Sequence, residues 1–319
     1  MPAFYTHFTF VSKNTNAQDK YAKIRALGGQ GPDVFFFYGY SAAKREKKSQ
    51  KRYFGTYIHH INIADAYSFL LEYAAKQSDS EMLYSYLKGL FMHYVMDRNC
   101  HPYIFYRTGF ADAKTGTDAD KAKYMNIHVG FEGIMDTIIG KQNKTFQCPK
   151  KCAKCPEEQV KSVSKMFFEL AKYLKFEDID ELTYYHAYKD LLFAESILYS
   201  PLGVKKFFVH KIFCRGNYID CMMSPCKTKP YEKYDILNEK KNEWRDCVTG
   251  EKRRESFLEL VENAKKELPN VDKMIEKASN KIDIREDMAV FINNVDHDGF
   301  QVNATKIHYQ NYLDEKDVK

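Results

Sequence analysis

"GLFMHYVMDRNCHPYIFYRTGF", residues 89–110, sets three polar side chains into an otherwise apolar and aromatic run: His93, Asp97 and His101, at intervals of four. Residues four apart stack on one face of a helix, so His93 and Asp97 project together. Upstream, Leu83, Leu87, Leu90 and Tyr94 form a buried-type stripe that predicts a helix from about Ser80 to Cys100. His101 precedes Pro102, and proline disfavours helical conformation in the residue before it. The helix is therefore expected to end near Cys100, with His101 at its exit and able to face a different point. Polar groups on a buried helix need partners, and this geometry suggests two metal ions rather than one.

The rest of the chain reads as helical too. Periodic apolar patterns occur at about 17–27, 62–76, 126–140, 157–175, 179–199, 202–213, 252–267 and 285–294, and alternating strand patterns are nearly absent. The expected class is all-α, with 1–319 as one domain: a helical core over 1–213, then a Cys-bearing irregular segment and C-terminal helices over 214–319. The composition, 44% apolar and 29% charged with 24 Tyr and 23 Phe, supplies a substantial core and excludes a disordered chain. No run approaches the ~18 apolar residues of a membrane span, and "MPAFYTHFTFVSKNTN" lacks a signal-peptide pattern. The expected location is cytoplasmic. A net charge of +6 suits an anionic partner without specifying nucleic acid.

Six of the ten histidines fall within the first 128 residues: His7, His59, His60, His93, His101 and His128. His128 and Glu132 form a second pair four apart on one helix. Asp33 follows "GQGP", a loop from which a carboxylate can point inward. Histidine nitrogens and carboxylate oxygens are what a catalytic Zn2+ takes, leaving a position open for water. The bland reading of any one pair is a hydrogen-bonded core histidine; two pairs plus His101 favour metal.

"HYVMDRNCHP" followed by "HVGFEGIMDTI" resembles the zinc-dependent phospholipase C family, whose superfamily includes single-strand-specific nucleases. "FYTHFTF", "GPDVFFFY" and "FGTYIHH" are similar to other segments of that family, in family order across 1–138, and 234–260 is similar to the C-terminal region of its cytoplasmic branch. The resemblance implies a helical fold around two to three Zn2+ ions. One ion would take Asp33, His59, His93 and Asp97, and a second His101, His128 and Glu132. A third would take His7, Asp97 and the N-terminal amine, which is that of Pro2 if Met1 is removed. Asp97 would bridge two ions. Of the His59–His60 pair only one should ligate, and spacing after Gly55 favours His59. The implied activity is hydrolysis of phosphate esters by a water activated at the cluster, with Asp33 as ligand and general base.

The substrate is less legible. Lys44, Arg45, Lys47, Lys48, Lys51 and Arg52 form either a funnel for an anionic phosphate ester, such as a phospholipid at a membrane surface, or a solvated loop. "FFFY", residues 35–38, is core or a stacking wall. Cys148, Cys152 and Cys155 are compatible with a structural zinc completed by Cys214, Cys221, Cys226 or Cys247, with free thiols, or with disulfides. The alternatives to a phosphodiesterase are a zinc nuclease or nucleotide phosphatase, and a non-catalytic lipid- or protein-binding module.

Overall fold

The computed structural model describes residues 4–41, 47–111, 115–213, 222–223, 225, 227–309 and 313. It is all-α. The helices are α1 (Phe4–Asn14), α2 (Ala22–Gly28), α3 (Lys48–His60), α4 (Ile63–Ala74), α5 (Ser80–Thr108), α6 (Asp118–Gln142), α7 (Pro149–Ala153), α8 (Glu157–Tyr173), α9 (Thr183–Leu198), α10 (Val204–Phe213), α11 (Phe257–Lys266), α12 (Leu268–Ser279) and α13 (Arg285–Ile292). A 3-10 helix spans Gly31–Phe37, and the strands β1 (Trp244–Arg245) and β2 (Lys252–Arg253) make a two-residue antiparallel ladder. Among the described residues no helix is long and apolar enough to cross a membrane.

The central element is α5, buried on nearly every side: α2, α11 and α12 pack on it, and α6 lies against it. It does not end near Cys100 as the proline predicts, but continues through Pro102 to Thr108. A proline inside a helix costs about 3 kcal/mol. The continued helix buries Pro102, Tyr103, Ile104 and Thr108, and a fully buried large apolar side chain returns roughly 1.5–3 kcal/mol, so burial offsets the penalty. The loop after α13 packs closely here. Gly299, at φ +80°, sits so near that a Cβ would stand 2.2 Å from the Arg98 carbonyl and 2.8 Å from the Pro102 ring.

Other boundaries also differ from the sequence expectation. Helix α6 starts at Asp118 rather than near 126, because Thr117 and Asp120 form a capping box: Asp120 N donates to Thr117 Oγ1 and Thr117 N to Asp120 Oδ2. Helices α1, α3, α7 and α12 were not anticipated. Helix α1 is buried on most of its surface, Phe4 to His7 without a break, so it carries no amphipathic stripe for a periodicity reading to find. Its position is set by Asp136 of α6, whose carboxylate accepts from Tyr5 N (3.0 Å), Thr6 N (2.6 Å) and Thr6 Oγ1 (2.8 Å). An acidic side chain capping the positive end of a helix fixes both its start and its direction. One hydrophobic cluster runs from Phe4 to Ile292.

Beneath α1, Glu195 of α9 is buried, and its Oε1 has no hydrogen-bond partner among the described residues. Burial, then the charge of Asp136, pushes its pKa from 4.5 up to about 8. The folded chain therefore holds this proton at pH values where the unfolded chain has released it, so this group's contribution to stability falls as pH rises from about 4.5 to 8. Glu195→Gln should match the parent's thermal stability at pH 5 and exceed it at pH 8. Parallel melting curves check this; identical pH slopes in the two proteins would contradict it.

Candidate metal centre

Helix α5 delivers His93, Asp97 and His101 along one stripe, because its continuity past Cys100 keeps the four-residue spacing intact. The other elements bring side chains to Asp97. His7 of α1 places Nε2 3.2 Å from Asp97 Oδ1, and His93 Nε2 is 2.8 Å from Asp97 Oδ2. His101 Nδ1 lies 3.7 Å from Oδ1, and His297, from the loop after α13, sets Nδ1 3.3 Å from Oδ2. Next to this, His59 Nε2 of α3 is 2.9 Å from Asp33 Oδ1. Farther along, His101 Nε2 and His128 Nε2 are 3.5 and 3.2 Å from Glu132 Oε1.

The donor atoms fall into groups whose members lie within 4.8 Å of one another: His59, His93, Asp97 and His297; His7, Asp33 and His93; His101, His128 and Glu132. The set His101, His128 and Glu132 appears as the resemblance implies. Asp33, His59, His93 and Asp97 also lie together, but divided between two groups. His7 stands beside Asp97, and Pro2 lies outside the described residues. His60 turns away: its Nδ1 is 3.1 Å from Asp296 Oδ2, and it groups with Asp296 and Asp298 instead. His297 was missed by sequence reasoning. The only signal is local, a histidine between two aspartates in "NVDHDGF" (294–300), far from the other candidates.

The tautomers follow from chemistry. A backbone carbonyl can only accept, so a ring nitrogen bonded to one must carry the proton. His59 Nδ1 donates to Gly55 O (2.7 Å), His93 Nδ1 to Gly29 O (3.2 Å) and His101 Nδ1 to His297 O (2.8 Å). In each neutral ring Nε2 is then a lone pair, and each points at a carboxylate. Two electron-rich atoms facing each other at 2.8 Å need a cation between them. Among the described residues His93 Nε2, despite its closeness to Asp97, has no partner in hydrogen-bond geometry, and neither has His7 Nδ1. This donor set, with the far nitrogens of His59, His93 and His101 tied down, is what zinc ligands look like. A cavity of about 10 Å3 lined by His7, Asp33, Asp97, His101 and Glu132 has room for a single small ion or water.

The charges agree. Burial opposes ionisation of Asp97, yet His93, His101 and His7 hold it well below the usual carboxylate range. Glu132 is likewise held low against burial, by His128 and His101, and Asp33 against burial by His59 and His93. Burial opposes the charged form of His101 too, but Asp97 and Glu132 raise its pKa to about 10. Without a metal the site therefore keeps a proton as its cation. Gly31 is needed here: at φ +54°, a Cβ on it would lie 2.2 Å from the His93 ring.

A family model described as zinc dependent phospholipase C matches residues 6–177, more than half of the chain. The chain belongs to the zinc-dependent phospholipase C family. No curated protein and no solved structure matches it. The matched span holds every family-type candidate from His7 to Glu132 and excludes His297.

This phospholipase C-family centre opens into a cleft of about 560 Å3. Its floor includes Asp33, His59, Asp97, His101, His128 and His297; Phe36, Tyr40, Phe105, Phe110 and Met125 form apolar walls. Of "FFFY", Phe35, Phe37 and Tyr38 are core, while Phe36 stacks on His59 at 5.2 Å. Among the six cations of the basic stretch, Lys44 and Arg45 lie outside the described residues. The described ones divide between ion pairing and the cleft. Lys47 pairs with Asp178 at 2.5 Å, Lys51 is buried and pairs with Asp180, and Lys48 lies along Gly39. Arg52 does line the cleft, held by Tyr38 O at 2.9 Å and by the Tyr40 ring. Lys121 of α6, not singled out from the sequence, lines it as well. Cys148, Cys152 and Cys155 are free thiols that belong to no metal-competent group among the described residues. Burial pushes Cys152 and Cys155 up to about 12, away from the thiolate a metal needs. Cys214, Cys221 and Cys226 lie outside the described residues.

Metal analysis of the purified protein should find two to three zinc ions per chain. Asp97→Asn should lose more of them than Glu132→Gln, since Asp97 contacts four imidazoles and Glu132 two. Equal zinc content in the two variants would contradict that ordering.

Proposed function

We propose that the protein is a phosphodiesterase of the phospholipase C type, acting on esters that join a phosphate to an apolar group. The observation that carries this reading is the position of the His–carboxylate cluster at the floor of a cleft with apolar, aromatic walls. Zinc held by His101, His128 and Glu132, and by the groups around Asp97, would supply Lewis acidity to the phosphoryl oxygens and acidify a water for attack.

The chain's own residues do the remaining work. Arg52 and Lys121 stand on the cleft where a phosphate would enter, and their charges draw the anion toward the floor. Phe36, Phe105, Phe110 and Met125 take up the apolar part of the substrate and exclude water, which strengthens every charge interaction inside. Asp33 lines both the cleft and the cluster. It is ionised at neutral pH, so it can take a proton from an attacking water. Two cations and an aromatic wall also suit a nucleotide, and the substrate panel separates the two chemistries.

The test is hydrolysis of short-chain phosphatidylcholine, a chromogenic phosphodiester and an oligonucleotide, each with and without chelator. Lipid turnover abolished by chelator and restored by zinc is the expected result. Asp33→Asn should lower kcat by about 10²–10⁴, with zinc content measured on the same sample to separate base from ligand. Arg52→Gln should raise KM with little effect on kcat. A zinc-loaded protein that turns over none of the three substrates would overturn the assignment.

A further inference from the structure

The segment that contributes most to the centre beyond the family-matched region is the tight loop after α13. It is closed by the Val295–Gln301 bridge and by Asp296 N donating to Phe300 O (2.8 Å). At its tip His297 is only 1% exposed. Its backbone ties together two helices of the centre: His297 N donates to His59 O (3.1 Å), and His297 O accepts from His101 Nδ1 (2.8 Å). Its ring faces inward, with Nδ1 3.3 Å from Asp97 Oδ2 and Nε2 3.1 Å from the Tyr67 hydroxyl. The His59 and His93 rings are 4.6 and 5.3 Å away.

We propose that His297 is a zinc ligand through Nδ1, completing with His59, His93 and Asp97 a four-donor site; this rests on the reading of the cluster as a zinc centre. The four donor atoms lie within 4.8 Å of one another, close to the ~4 Å that two donors at ~2.0–2.1 Å from one zinc can span. The ring is built like those of His59, His93 and His101, one nitrogen toward the cluster and the other on a fixed partner, here Tyr67. His297 is the fourth imidazole around Asp97, after His7, His93 and His101, a crowding of donors on one carboxylate that suits a shared cation.

The assignment separates two roles. Four protein donors close the coordination of this ion, as in structural sites, whereas His101, His128 and Glu132 supply three and leave a position open to the cleft. The open, reactive position then belongs to the second group, and the first anchors the C-terminal loop to α3, α4 and α5. Asp33, beside His59, remains available as the proton acceptor.

The experiment compares the full-length parent with His297→Asn, His297→Cys and Tyr67→Phe, by zinc content and affinity against a competing chelator and by absorption after cobalt replacement. Asparagine keeps a hydrogen-bond donor for Asp97 but is a poor zinc donor. This variant should lose one zinc per chain and weaken affinity beyond the ~10–100-fold that loss of an outer partner costs. Tyr67→Phe should stay within that range. Cysteine should retain the ion, because the longer ~2.3 Å zinc–sulfur bond offsets its shorter reach, and should show a thiolate-to-cobalt charge-transfer band. His297→Asn with parental zinc affinity, or a cobalt-filled His297→Cys with no such band, overturns the proposal. Should the asparagine variant not fold, the cysteine spectrum decides alone. A parent that binds no zinc overturns the zinc-centre reading itself; a zinc-loaded parent indifferent to residue 297 overturns only this assignment.

Discussion

A single buried carboxylate organises this molecule. Asp97 sits at the middle of the most buried helix and faces imidazoles from α1, from its own helix twice, and from the loop after α13, at 2.8–3.7 Å. A carboxylate in such a place is tolerable only with compensating positive charge. His93 is fixed as a lone-pair donor toward it by the hydrogen bond from its far nitrogen to Gly29 O, and His101 is fixed in the same way toward Glu132 by its bond to His297 O. Charge balance therefore demands a cation at this point, a proton in the bare protein or a metal in the loaded one.

The supporting structure follows from holding those imidazoles still. Helix α1 is pinned through Asp136, which fixes where His7 emerges. The 3-10 helix after Gly31 brings Asp33 to His59 without crowding His93. Helix α5 continues past Pro102, so that His101 keeps its place in the stripe while reaching Glu132. The loop at 294–301 then closes the centre from the far end of the chain, through backbone bonds as well as the His297 ring.

The cleft joins two environments that small-molecule chemistry usually keeps apart. A polar, metal-competent floor meets walls of Phe36, Phe105, Phe110 and Met125, with Arg52 held by a carbonyl and a ring. Lys47 and Lys51 of the basic stretch are engaged with Asp178 and Asp180, and among its described cations Arg52 is the one that lines the cleft, with Lys121 of α6 beside it.

The sequence by itself determined the helical class and most of the candidate donors, because both are local. Helical spacing makes His93 and Asp97, or His128 and Glu132, neighbours whatever the rest of the chain does, and "GQGPD" is legible as a turn that frees a carboxylate. What it misjudged depended on distant packing. Pro102 argued for a helix end, and burial of Tyr103 and Ile104 overrode it. Whether Lys47 and Lys51 faced a substrate or the surface was open in the sequence, and the loop before α9 supplies their partners, Asp178 and Asp180. His297 lies 200 residues from Asp97, with no periodicity or spacing linking them. Only tertiary structure could place it, since a contact between a loop and a helix so far apart is fixed by how α13 packs on α4 and where the chain turns afterwards.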